Sequence, residues 1–319
     1  MGATDGDLTR VPLAYPLAPV DGPRLLLAGC EHPVRQPRGK PLAASRAPWC
    51  DACARTHDAT ARRRLGALLA DLGEAPLADR TPVLAVGSNA APAVLRHKLG
   101  SRGVSTVVPV LTGVVRALDV THSAHVARGG YVPAAPVHRS RSRRRAVLQL
   151  LDDDQLAAVD ETEPNYDRVE VSAARYPVVL SGGLRPGRVH VYTSRRGVLD
   201  LPDRPTTALL TQTEVLAALD GAGVPHTGGD PHEAAGLLAR SPEVREAVHA
   251  AMDDLGLVRD AGLHAQPADE LRWADALAPS WPRRGGISGG RHPVPRRPRR
   301  APRTPSPPRT PRRATGPQS

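Results

Sequence analysis

The chain has no phenylalanine, and Trp, Tyr and Met number only three, five and two in 319 residues. Cysteine is almost as scarce. Three Cys do not make a disulfide framework, and a reducing, cytoplasmic setting is expected. No apolar run approaches the length of a membrane span, so no membrane partner is expected. The opening Met-Gly-Ala-Thr-Asp-Gly-Asp carries no basic stretch followed by an apolar one, so no secretory leader is expected. The last missing feature is acid near the C-terminus. From Arg283 to Ser319 there are 11 Arg and nine Pro, with no Lys, Asp or Glu. Such a segment holds too little apolar surface to offset the entropy of ordering, and it is expected to be disordered. Without it, the 43 basic residues of the chain fall to 32, against 32 acidic ones. The pI of 10.6 therefore describes the tail. The tail can attract nucleic acid only through counterion release, because it has no aromatics for stacking bases. It is read as an inert extension, with nucleic acid not expected as a partner.

What is present is rich in Ala, Arg, Pro, Gly and Val, a composition resembling that of chains from high-GC bacterial genomes. Residues 29–53 hold all three Cys. Cys30-x-His32 is followed, after 17 residues, by Cys50-x-x-Cys53. A two-residue gap lets both sulfurs reach one ion, and Cys30 with His32 completes a Cys₃His set for a structural zinc, with His57 a spare ligand. Three unpaired buried thiols are the alternative. A redox role is not supported, since no thioredoxin-like βαβ pattern surrounds the pair. A helix is predicted from Thr56 to Leu72, with Leu65, Leu68, Leu69 and Leu72 on one face and Gly73 as the stop.

From residue 81 the pattern changes. Strands are predicted at Pro82–Val86, Val104–Val110, Gly113–Val120, Tyr131–Val137, Arg145–Leu151, Val169–Ala173, Val178–Leu180 and Arg188–Tyr192. Helices are predicted from near Pro92, where Pro suits the first turn, and at Asp152–Val159, Glu214–Leu219, His232–Leu238 and Pro242–Leu255. Short strands between helices without regular βαβ alternation indicate an α+β class. Arg139–Arg145, five Arg in seven residues, reads as a solvated loop entering a strand, or as a site for an anionic substrate.

Two segments carry candidate chemistry. Gly87-Ser88-Asn89 lies where a strand meets a helix N-terminus, a geometry that offers backbone N–H groups to an anion. The plain alternative is a turn in which Asn89 caps the helix. Asp160-Glu161-Thr162-Glu163-Pro164-Asn165-Tyr166 follows a helix. Glu163 precedes Pro164 and so is biased into a turn, where it can point into a cleft and shuttle a proton, with Tyr166 near enough to donate to it or to a substrate. The plain alternative is a solvated acidic helix end.

Taken together, the order strand, Gly-Ser-Asn, helix, several strands, helix, Glu163, Tyr166, strand resembles the gamma-glutamylcyclotransferase-like family over roughly residues 81–199. Leu150–Glu163 is written much like the family's helix before its catalytic Glu, and Arg168–Val171 and Val189–Tyr192 fit its later strands. Val86 stands where the family usually has Tyr. The resemblance implies a small mixed or antiparallel β-barrel with flanking helices. It also implies cyclisation of a γ-glutamyl amide to 5-oxoproline, without a catalytic cofactor. Glu163 would be the general base and acid; Gly87, Ser88, Asn89 and Tyr166 would bind substrate. The implied organisation is an N-terminal segment (1–80), the cyclotransferase-like domain (81–200), a helical extension (201–282) and the tail (283–319). Two other readings stay open: a noncatalytic metabolite-binding member of the fold, and a zinc-containing protein that meets nucleic acid through its tail.

Overall fold

After a short 3-10 turn at Pro12–Ala14 comes a Leu-rich hairpin, in which β1 (Arg24–Leu27) turns through Gly29 into β2 (Cys30–Pro33). Gly29 takes φ +80°, a conformation that favours glycine. The computed structural model describes residues 6–27, 29–37, 39–48, 53, 64–201 and 209–277, all within one compact unit, Met1–Ser280. The Arg/Pro tail, Cys50, His57 and most of the N-terminal half of the helix predicted over 56–72 lie outside the described residues. The described part of that helix is α1 (Leu65–Asp71), which buries Leu65, Leu68 and Leu69 as the spacing predicts.

Next come β3 (Thr81–Ala85), α2 (Pro92–Gly100), β4 (Val108–His122), β5 (Ala134–Leu151) and α3 (Asp153–Glu161). They are followed by β6 (Tyr166–Ser172), β7 (Val178–Leu180), β8 (Arg188–Ser194) and β9 (Val198–Leu199). The remaining elements are α4 (Gln212–Gly221), α5 (Pro231–Arg240), α6 (Pro242–Asp254), β10 (Val258–Arg259), β11 (Ala265–Pro267) and α7 (Trp273–Ala276). Helices α3 and α4 each begin with a reciprocal capping box, Asp152 with Gln155 and Thr211 with Glu214. Among the described residues no helix is long and apolar enough to cross a membrane.

The class is α+β, but the sheet is not a closed barrel. Among the described residues nine strands run in the order β11-β6-β8-β3-β5-β4-β1-β2, with β7 also on β4, and every pairing between them is antiparallel except β3 with β8. Closure requires every strand to have two neighbours. Here β1 and β7 share the outer edge of β4, and the series ends at β2 and β11, which do not pair. β11 is three exposed residues, a short edge that gives little template for further pairing.

Two expectations within the sheet are corrected. The four strands predicted between Val104 and Leu151 are two long ones, β4 and β5, paired from Val110↔Gln149 to His122↔Ala134. Gly113, expected to begin a separate strand, lies inside β4 at a place of close approach: a Cβ there would lie 2.2 Å from the carbonyl oxygen of Val179 on β7. The Arg139–Arg145 run, expected as a solvated loop, lies inside β5. The register shifts here: Arg116 faces Arg143 and Leu118 faces His138 across a bulge at Ala117, whose φ is +59°. Asp119 then forms ion pairs with Arg139 (3.5 Å) and Arg144 (2.5 Å).

Leu84, Leu148 and Val191 on the central strands join Leu65, Leu68 and Leu69 of α1 in one core. A second core forms between the end of β4 and helices α4 to α6, including Val126, Val132, Leu216, Leu238 and Met252. His122 is built into its edge as a neutral ring. Its Nδ1 lies 3.1 Å from the Val132 carbonyl, to which it must donate, so Nε2 accepts the Leu210 N–H at 3.1 Å. Burial holds the His122 pKa down to about 4. Because the folded value lies below that of the free side chain, about 6.5, this stabilisation is complete above pH 6.5 and is lost as pH falls toward 4. The urea midpoint is expected to fall over that window, and His122→Asn to flatten the slope by about 1.4 kcal/mol per pH unit.

Candidate active site

The site is built where β3 ends. Val86 leads into a single helical turn, Gly87–Ala90, and α2 begins only at Pro92. Gly87 has φ +60°, and a Cβ on it would lie 2.2 Å from the Tyr15 hydroxyl and 2.9 Å from Ala134 Cβ. Only glycine lets the strand turn so close to these neighbours. Asn89 is buried, and its carbonyl accepts a hydrogen bond from Gln149 Nε2 on β5 at 2.5 Å. Its side chain does not cap α2: the cap position is Ala91, which has no side-chain bond.

The Asn89 amide instead meets the second candidate segment, 74 residues along the chain. Asn89 Nδ2 donates to Glu163 Oε1 at 2.8 Å. Glu163 sits at the head of a tight turn after α3. The Glu163 N–H donates to the Asp160 carbonyl (3.1 Å), and the Tyr166 N–H to the Glu163 carbonyl (3.0 Å). Arg195 fastens the turn from outside through Pro164 and Asn165. The acidic cluster is thus divided. Glu161 is exposed and pairs with Arg102, and Asp160 takes Arg168 and the Tyr192 hydroxyl. Only 12% of the Glu163 side chain is exposed, and it faces a cavity.

The sequence reading missed the third member. Lys98, on the last turn of α2, donates to Asn89 Oδ1 at 2.7 Å and to Glu163 Oε1 at 2.6 Å. Asn89, Lys98 and Glu163 therefore form a closed triangle in which Oε1 accepts two bonds, while Oε2 accepts none from the described residues. A signal for Lys98 was available: the chain has only two lysines among its 43 basic residues. An ammonium is a compact charge with several rotatable donors, which suits a position serving two acceptors at once.

The cavity is about 200 Å³ and includes Ser88, Asn89, Lys98, Glu163 and Tyr166 in its lining. Four tyrosines and a histidine stand in its walls. Tyr15, from the N-terminal segment, stacks on Tyr131 at 4.7 Å, and His125 meets Tyr166 edge-on at 5.5 Å. Burial raises the Tyr131 pKa to about 12 and lowers that of His125 to about 3, so both rings are neutral across the physiological range. Tyr166 lines the cavity as expected, but its hydroxyl donates to the Ala134 carbonyl at 2.8 Å and not to Glu163. The N–H of Ala134 donates to the Tyr15 oxygen at 2.6 Å. Ala134, the first residue of β5, is thus held on its N–H and on its carbonyl by two tyrosines. Tyr15→Phe would leave the buried Ala134 N–H without its acceptor while keeping the ring, at an expected cost of about 1–3 kcal/mol by urea unfolding.

The other candidate residues gather elsewhere. Cys30, His32 and Cys53 bring their ligand atoms within 4.8 Å of one another, and none of the three lines the cavity.

No protein-family model and no curated protein matches the chain. Among solved structures it is similar to an Arabidopsis thaliana protein, At3g28950.1, at 19% identity over 36% of this chain and 61% of that one, with a TM-score of 0.27. The chain therefore spans about three fifths of that neighbour's length. It is also similar to a structure described as gamma-glutamyl cyclotransferase, at 11% identity over 60% of this chain and 94% of that one, TM-score 0.31. A Homo sapiens protein, loc79017, aligns at 12% identity over 60% and 95% of the two chains, TM-score 0.30.

Proposed function

We propose that the chain cyclises a γ-glutamyl amide, releasing the amine and forming 5-oxoproline. The observation that carries this reading is the 2.8 Å bond between Asn89 and Glu163, made at the wall of an aromatic-lined cavity. A lone carboxylate on a turn has no chemical meaning. A mostly buried one, fixed by an amide and an ammonium beside a cavity, supports a role in moving a proton.

In this mechanism the substrate's α-amine, in its neutral form, attacks its own γ-carbonyl carbon. A C–N bond forms, the carbonyl oxygen takes the electron pair, and Glu163 Oε2 accepts a proton from the attacking nitrogen. On collapse the amide C–N bond breaks, and Glu163 returns that proton to the leaving nitrogen. Backbone N–H groups of the Gly87–Asn89 turn would be the donors to the oxyanion. Lys98 holds Glu163 in place and supplies the positive charge that suits the substrate's α-carboxylate. The tyrosine rings exclude water, which favours cyclisation over hydrolysis.

The reading requires a free α-amine. Amine release is expected from γ-glutamyl dipeptides, and none from the same compounds N-acetylated or linked through the α-carboxyl. Equal release from N-acetylated substrates would overturn it.

A further inference from the structure

We propose that Cys30, His32 and Cys53 hold a structural zinc ion that ties the β1–β2 hairpin to the segment beyond residue 48. Cys30 and His32 are two residues apart on β2, so their side chains leave the same face of the strand. The strand is held in register, with Leu27 opposite Cys30 and Leu25 opposite His32, and β1 is in turn fixed to β4. Cys53 arrives from the far end of the intervening loop. Its burial matches that of His32, at 3% and 2% exposed, and Cys30 is half-buried.

The histidine's tautomer supports metal binding. His32 Nδ1 lies 3.1 Å from the Pro48 carbonyl oxygen. A carbonyl only accepts, so Nδ1 carries the proton and the Nε2 lone pair is the ligating one. A ring oriented by its other nitrogen is the usual outer-shell arrangement of a metal-bound histidine. Donor chemistry selects the ion: two sulfurs and an imidazole suit zinc, whereas magnesium and calcium take oxygen. Bonds of about 2.3 Å to sulfur and 2.0 Å to nitrogen place tetrahedral donors roughly 3.5–3.8 Å apart. The three donor atoms, all within 4.8 Å, need close by only about 1 Å to reach that geometry.

On binding, each thiol loses its proton to solvent, and both thiolates and the imidazole donate electron pairs to Zn²⁺. No oxidation or reduction is involved. A fourth ligand completes the tetrahedron; Cys50, the candidate the sequence spacing offers, lies outside the described residues. The site is separate from the cavity, so its test does not depend on the proposed reaction.

The full chain, purified under reducing conditions without chelator, is expected to carry about one zinc per molecule. Cobalt added to metal-stripped protein should give a thiolate-to-metal charge-transfer band and the strong visible bands of a tetrahedral site. His32→Ala and Cys30→Ser should each abolish metal retention. The cobalt titration uses the unaltered chain, so it stands even where a variant fails to fold. Zinc below about a tenth per chain with no cobalt–thiolate band would overturn the proposal. A reduced protein whose intact mass, after brief exposure to air, is lighter by two hydrogens and which then rejects zinc on re-reduction would overturn it as well.

Discussion

Glu163→Gln is expected to lower turnover of a γ-glutamyl dipeptide by about 10²–10⁴-fold, the range attached to a general acid–base group. The variant isolates the proton from the geometry. Both observed bonds to the side chain, from Asn89 Nδ2 and Lys98 Nζ, end on Oε1, and glutamine keeps that oxygen. What it loses is the second oxygen, the one given the proton-accepting role. The unfolding midpoint should therefore move little while kcat collapses and KM changes far less. A variant that keeps its fold and its turnover removes Glu163 from the mechanism. Lys98→Met should behave differently, raising KM more than it lowers kcat, because its proposed partner in the substrate is the α-carboxylate.

The largest stability loss is expected at Arg80, which has no exposed surface. Its guanidinium donates to the carbonyls of Ala75 (2.9 Å), Val107 (3.3 Å) and Leu150 (3.2 Å), and to Gln155 Oε1 (3.1 Å). Glu74 at 3.4 Å and Asp152 at 3.6 Å balance its charge. Burial pushes the Arg80 pKa down, and these two carboxylates oppose that shift. Arg80→Ala would leave both carboxylates and three carbonyls facing an apolar void. Removing one partner of a buried ion pair typically costs about 3–5 kcal/mol. The effect reaches the site through Gln155, which belongs to the capping box at the start of α3, the helix that delivers Glu163. Urea unfolding measures the loss, and a change under about 1 kcal/mol would show that α3 is held by its other contacts. Arg80→Lys should not rescue, since an ammonium cannot span the same fork of acceptors.

Much of this architecture was legible because local signals agreed. The helix predicted over Asp152–Val159 corresponds to α3, and apolar spacing places α1 and the core strands. The two short motifs holding Asn89 and Glu163 stand out in the sequence, but the hydrogen bond between these two side chains appears only in the fold. Other features were not legible, each for a physical reason. Gly113 reads as the first residue of a separate strand, but it lies inside β4, where the β7 backbone fills the space it leaves. The Arg139–Arg145 run reads as a loop, yet an 18-residue strand carries it, with Asp119 across the bulge taking part of its charge. Tyr15 could not be assigned to the cavity from sequence. It lies 72 residues before Gly87, and only folding brings its hydroxyl against that glycine. The closed barrel was implied by the family resemblance, and nothing in the residues reveals that β1 and β7 share the outer edge of β4.

The most direct measurement is the identity of the acid product when the full chain acts on a γ-glutamyl dipeptide in ¹⁸O-water. Intramolecular attack by the α-amine never brings a solvent oxygen onto the γ-carbon. The account predicts unlabelled 5-oxoproline, formed in equal amount to the released amine. Glutamate carrying ¹⁸O would mean that water is the nucleophile, and 5-oxoproline undetected above the uncatalysed rate would mean that Glu163 and Asn89 meet for some other purpose.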